Sequence, residues 1–211
     1  MLDVIRDPYL ALETLLWKHD GAIFSSDDAH GHTCTVTGAV WGMQGRTFDA
    51  VPDDKILIGQ KTALQIQNLS IIAWIKRISL GANEVNDIVA YGANGYVFYI
   101  YGGTRAGKEN RLYFGKNAVD EVYSTFTIAD TNWHHVVVTR TGTNAIFYKD
   151  GVSSGDVTYA TQFAFTTDLY VGADGTLSLR DAILGEALIY NRVISQAEVT
   201  NHRLATMWRY K

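Results

Sequence analysis

One cysteine and two prolines occur in 211 residues, and the chain has neither a long apolar run nor a block of like charge. Each scarcity excludes something. The lone Cys34 cannot close an intramolecular disulfide, so this is not a small scaffold stapled by disulfides. No stretch approaches the roughly 20 apolar residues that cross a bilayer as a helix. The opening segment, MLDVIRDPYLALETLLWKHDG, has Asp3, Asp7 and Glu13 among its apolar residues, which breaks the apolar region a signal peptide requires. With 18 basic and 22 acidic residues and a net charge of −4, neither an extended contact with nucleic-acid phosphates nor an anionic membrane surface is expected.

What is abundant points to strands. Twelve tyrosines, eight phenylalanines, five tryptophans and nineteen glycines accompany many Thr and Val, the composition of β-structure joined by glycine turns. Short β-rich runs recur at 33–40, 46–49, 55–59, 69–78, 86–92, 95–102, 110–115, 122–128, 132–140, 144–149, 156–160, 168–173 and 183–190. Such spacing predicts a two-sheet sandwich or a barrel. Thr141-Gly142-Thr143-Asn144 and Asp150-Gly151 supply hairpin turns where φ must be positive. Helical signal is confined to the ends: residues 9–17 place Leu12, Leu15 and Leu16 loosely on one face, and Ser195 with Glu198 forms a capping box. The chain therefore divides into a leader and interaction arm over 1–20, packed outside, and one domain over 21–211.

In order along the chain come DDAHGHTCTVTGAVW (27–41), GRTFDAVPDDKILIG (45–59), NLSIIAWIKR (68–77), NWHHVVVTRTGTNAIFYKDGV (132–152) and GEALIYNRVISQAEV (185–199). With these five segments the sequence resembles the laminin G-like, concanavalin A-like jelly-roll modules, in their bacterial or phage branch. The resemblance implies an all-β fold, a two-sheet antiparallel jelly-roll sandwich with short terminal helices. Two places depart from the pattern. Phe48-Asp49-Ala50 with Pro52 stands where the family usually has Phe-Asp-Gly before Asp53-Asp54, and Leu184-Gly185-Glu186 stands where many members carry Ile-Asp-Glu.

Several constellations invite a chemical reading. His134 and His135 are adjacent on a strand, so they point to opposite faces and cannot share one metal ion or proton relay. If Trp133 faces the core, His135 does too. Glycoside hydrolysis needs two carboxyls roughly 5–10 Å apart, and no acids alternate along one strand; Glu84, Asp87, Asp120 and Glu121 read as solvated loop acids. A calcium ion wants six to eight oxygens. Asp27 and Asp28 offer some, and the resemblance brings their loop near Glu186; the competing reading is a plain polar loop with an Asx turn. His30, His32 and Cys34 offer three zinc-type ligands without a fourth. Neither a Gly-x-Ser-x-Gly elbow nor a phosphate loop occurs.

Aromatic residues crowd 91–114, where alternation places Phe98 opposite in facing to Tyr99 and Tyr101. One set should fill the core while the other lines an outer face, giving stacking platforms for sugars or anchors for proteins. Tyr91, Tyr96, Tyr99, Tyr101 and Arg105 are the expected ligand-binding residues. The expected function is non-catalytic recognition of a glycan or protein surface, with calcium as the one cofactor in view. The alternative is a structural or decoration protein of a phage virion, contacting capsid or tail proteins or other copies of itself; a glycoside hydrolase is third. Placement on a virion surface, or export within a larger assembly, fits a chain with this amino terminus.

Overall fold

Alternating burial and glycine turns produce sixteen strands in the computed structural model, which describes residues 7–49, 54–80, 85–102 and 107–211. All pairings are antiparallel. One sheet runs β14 (Val152–Thr158), β13 (Asn144–Lys149), β12 (Trp133–Thr141), β7 (Leu69–Arg77), β16 (Ala182–Tyr190), β5 (Gly45–Phe48), β4 (Val40–Gly42). The other runs β11 (Asp120–Thr127), β10 (Arg111–Lys116), β9 (Tyr96–Tyr101), β8 (Asn86–Tyr91), β15 (Leu169–Val171), β6 (Lys55–Gly59), β3 (Thr33–Thr37), β2 (Ile23–Ser25). The two sheets face each other as a jelly-roll sandwich, as the sequence predicts.

Period-2 alternation explains the core between them. Ile71, Ala73 and Ile75 of β7 and Val136 and Val138 of β12 point inward, opposite Tyr96, Phe98 and Ile100 of β9 and Leu112 and Phe114 of β10. All are buried, and each large apolar side chain contributes roughly 1.5–3 kcal/mol by leaving water. The outer face of the first sheet carries a second cluster, Ile72, Val137, Tyr148 and Leu188, covered by Ile194 and Val199. Val199 belongs to helix α1 (Gln196–Thr206), whose amino terminus has the expected capping box of Ser195 and Glu198. A 3-10 turn, Met207–Tyr210, follows it.

The helix expected over 9–17 is instead strand β1 (Leu10–Leu15), which shares one flank of β16 with β5. Its register sets Glu13 opposite Leu188 and Leu15 opposite Glu186. Leu12 and Leu16 sit fully buried in the sandwich core, so this segment is part of the sheet rather than an arm packed outside. Three loosely spaced leucines satisfied either period; the unpaired backbone along β16 decided between them.

Candidate functional site

The expected ligand-binding tyrosines divide by face, and none offers an open ring. Tyr91 and Tyr96 point between the sheets. There Tyr96 Oη donates to the Leu64 carbonyl at 3.0 Å, and Gln65 Nε2 donates to Tyr91 Oη at 3.3 Å. Tyr99 and Tyr101 do reach the outer face, but they are only 4% and 8% exposed. Tyr99 stacks on Tyr113 with centroids 5.0 Å apart and donates to Glu121 Oε2 at 2.6 Å. The stacking platform expected here is therefore closed by its own neighbours, a correction to the sequence reading. Arg105 lies outside the described residues. A small cleft of about 140 Å³ remains beside Tyr99, lined by Asp87, Lys116, Asn117, Glu121 and Asp174 among others. Asp87 is not a solvated loop acid: it is buried in β8 with Oδ2 unpartnered, and burial, reinforced by Asp174, pushes its pKa well up.

The calcium set does not assemble. Asp27 accepts from the Leu15 amide at 3.1 Å and from Lys18 Nζ at 2.9 Å, with His19 Nε2 at 3.0 Å. Burial pushes its pKa up, but Lys18, His19 and the Leu15 amide outweigh that and hold it below the ordinary carboxylate range. Asp28 accepts from the amides of Glu13, His30 and Gly31 at 2.9, 2.7 and 3.2 Å. Both acids thus pin the loop to β1 by satisfying backbone donors, and Glu186 faces a different constellation. Among the described residues no three His, Cys, Asp or Glu side chains gather in a way that holds a metal ion. Of the three zinc-type ligands two are occupied, since His32 Nε2 donates to the Ala11 carbonyl at 2.9 Å and Cys34 Sγ donates to the His32 carbonyl at 3.4 Å with burial pushing its thiol up to about 12, while the His30 ring stacks on that of His32.

The paired histidines of β12 split as strand geometry requires, though with the faces exchanged. Since Val136 and Val138 point between the sheets, Trp133 and His135 point outward, beneath the carboxy-terminal helix, and His134 points inward at the sheet end. His134 is held between two carboxylates, Asp150 at 2.8 Å and Asp130 at 3.1 Å. His135 Nε2 lies 3.0 Å from His202 Nδ1, and His202 Nε2 lies 3.4 Å from Glu186 Oε1. Burial controls all three groups. It depresses His135 well below its usual value, lowers His202 to about 4 and, with Glu13 adding to it, raises Glu186 to about 8. At neutral pH the line is therefore three uncharged groups, and the contact between His202 and Glu186 is not an ion pair.

This line opens into a cleft of about 210 Å³, lined by Glu13, Trp17, Glu186, His202, Trp208 and Arg209 together with Leu15, Ala205 and Thr206. Local irregularities place each wall. A bulge between Leu184 and Glu186 resets the alternation of β16, so that Leu184 points into the core while Glu186 turns outward. Gly185 at the bulge leaves the space that Tyr210 fills, because a Cβ there would come within 2.2 Å of the Tyr210 ring. Tyr210 stacks on Trp74 at 4.6 Å, packs at a tilt against Trp133 at 4.7 Å and approaches Glu186 Oε2 at 3.4 Å. Its anchoring fixes Trp208 and Arg209 on the same turn. The Arg209 guanidinium lies 3.3 Å from the centre of the Trp17 ring and 4.6 Å from that of Trp208. Trp208 is 64% exposed, whereas Glu186 is 2% exposed with Oε1 lacking a hydrogen-bond partner. Sequence reasoning singled out Glu186 alone of these. The available signal for the rest was the aromatic and basic run Met207-Trp208-Arg209-Tyr210 directly after a capped helix.

The sequence profile of the concanavalin A-like lectin/glucanases superfamily matches residues 49–200. The chain belongs to that superfamily. Similar solved structures include a Trypanosoma rangeli sialidase, at a TM-score of 0.71 and 14% identity over 97% of this chain and 34% of the sialidase chain. They also include the binding domain of Paraclostridial Mosquitocidal Protein 1, at TM-score 0.67 and 13% identity over 93% of this chain and 52% of that one. The Botulinum Neurotoxin serotype G binding domain gives TM-score 0.69 and 14% identity over 93% and 51%. Among curated proteins no match is found. This superfamily member thus spans about a third of the sialidase chain and half of the toxin binding domains, and identities this low establish the fold alone. The expectation that the chain is not an enzyme is corrected by the sialidases: the same fold occurs in chains named for catalysis and in domains named for binding.

Proposed function

We propose that this concanavalin A-like domain recognises glycans displayed on a surface, through the cleft between β1, β16 and the carboxy-terminal turn. One observation carries the reading: an exposed indole, Trp208, stands beside a buried carboxyl oxygen that has no partner, Glu186 Oε1, with Arg209 and His202 adding polar groups between them. Sugars present just the complement, with hydroxyls that both donate and accept and a C–H face that packs on an aromatic ring. The toxin binding domains of similar fold favour a recognition role as well. The virion reading gains nothing from these likenesses.

Glycan-array screening followed by calorimetry tests the proposal. Trp208→Ala should lower the affinity for any glycan bound by at least about tenfold, a loss of about 1.4 kcal/mol, with little change in melting temperature because the indole is mostly in water. Undiminished binding by that variant, or an array with no saturable signal, sinks the assignment.

A further inference from the structure

Building on the glycan reading of this cleft, we infer that its ligand is a chain of several sugars laid across Trp208, not a single terminal sugar. The cleft does not end at that indole. Adjoining it is a depression of about 430 Å³, lined by Met43 and Gln44, from the turn between β4 and β5, together with Trp208 and Arg209. Trp208 and Arg209 therefore form a wall common to both spaces. Sites for small molecules measure roughly 300–1,000 Å³, and the inner cleft, at about 210 Å³, falls short of that range by itself. The outer space is about twice as large, so a ligand that uses the whole groove must extend past Trp208.

The junction is preformed and carries the chemistry that a sugar chain repeats. Gln44 Nε2 donates to the carbonyls of Arg209 at 2.9 Å and Lys211 at 3.4 Å, and Gln44 Oε1 accepts from Trp133 Nε1 at 3.2 Å. Both ends of that amide tie the hairpin to the terminal turn, so the two spaces are already placed relative to each other and little ordering cost falls on binding. The Arg209 guanidinium, held against the Trp17 and Trp208 rings, can donate to hydroxyls or ring oxygens of sugars in either space. Met43, 84% exposed, supplies a second apolar contact in the outer space, where an unbranched thioether moulds to an irregular surface. Linked pyranoses present C–H faces and hydroxyl edges in turn, and the groove meets them with an indole and a thioether that share a guanidinium. None of these three groups depends on the ionisation of the acids in the inner cleft.

The decisive experiment is an array of linear oligosaccharides graded in length from one to about six units, covering glucose, mannose, xylose, galactose and N-acetylglucosamine backbones, followed by calorimetry on those that bind. Affinity should rise by at least about tenfold from the two-unit to the four-unit member of a bound series, more than the added binding registers of a longer chain supply. Met43→Ser should reduce the long members to the affinity of the short ones and leave the short ones unchanged, whereas Trp208→Ala should weaken every length. Both side chains are exposed, and an unaltered melting temperature confirms that the variants are folded. Affinity that is flat with length but lost in Trp208→Ala would overturn the extended ligand while leaving glycan recognition at this cleft intact. A rise with length that Met43→Ser does not touch would overturn the use of the outer space. Self-association in sedimentation that Met43→Ser abolishes, with no dependence on chain length, would give that space to a second copy of the chain and overturn the inference. Absence of binding to every glycan overturns both readings.

Discussion

At the scale of single residues, the role of the His134-His135 pair is set by one carboxylate. Asp150 holds His134 Nδ1 at 2.8 Å through Oδ2 and accepts the His135 amide at 3.0 Å through Oδ1, while its own backbone sits at φ 51 in the hairpin before Gly151. Residues other than glycine rarely adopt that conformation, and Asp and Asn are the usual exceptions. Asp150→Ala removes both acceptors and strains the turn, so a loss of about 1–3 kcal/mol is expected. Asp150→Asn keeps an acceptor and tolerates the backbone, and should recover about half of that loss. Urea denaturation of the two variants separates the contributions. Equal stability of Asp150→Ala and the parent would show that the pair needs no such clamp. Burial opposes ionisation of Asp150, yet His134 and the His135 amide hold its pKa below the ordinary value. Its contribution is accordingly present above about pH 4 and is lost as pH falls through the lower folded value.

At the scale of elements, the carboxy-terminal turn and the bulge of β16 are built for each other. Gly185 has no side chain, the Tyr210 ring occupies the space, and Tyr210 then bridges Trp74, Trp133 and Glu186. Tyr210→Ala should cost about 3–5 kcal/mol, the usual range for deleting a buried aromatic ring. Gly185→Ala should also destabilise by expelling that ring. In the double variant the added methyl meets an empty space, so the two losses should combine to clearly less than their sum. Additive losses in a double-mutant cycle would separate the bulge from the turn. Elements of this kind were unevenly legible in the sequence. Strands such as Leu69–Arg77 and Trp133–Thr141 announce themselves through continuous or alternating apolar residues with glycine turns at their ends, and the capping box of Ser195 is a local signal. The strand Leu10–Leu15 did not, because its partner β16 lies about 170 residues away and its leucines fit a helical face equally well. The exchange of faces at Trp133 has the same origin: a residue covered by a helix looks no different in sequence from one covered by a second sheet.

At the scale of the whole molecule, the candidate site escaped the sequence reading because it is assembled from both ends of the chain, Glu13 and Trp17 from one and His202, Trp208 and Arg209 from the other, with only Glu186 in a recognised motif. The crowded tyrosines of 91–114 drew attention instead, and packing consumed them. Joining the termini over a buried acid has a consequence for the stability of the fold. Glu186, raised from 4.5 to about 8, binds its proton more tightly folded than unfolded. From pH 4.5 to about 8 the unfolded chain is therefore the less protonated state at this position, and stability falls as pH rises across that window. His202, lowered from 6.5 to about 4, acts oppositely: stability rises with pH between about 4 and 6.5, and the two effects offset there. Above 6.5 only Glu186 acts, and the remaining interval to about 8 corresponds to about 2 kcal/mol. Chemical denaturation should thus show the protein less stable at about pH 8.5 than at about pH 6.5 by that order. Glu186→Gln, which cannot ionise, should flatten the decline over the same range while keeping the folded state near its stability at the lower pH. A decline of equal size in that variant would assign the pH dependence to other groups and leave the buried carboxyl without a part in it.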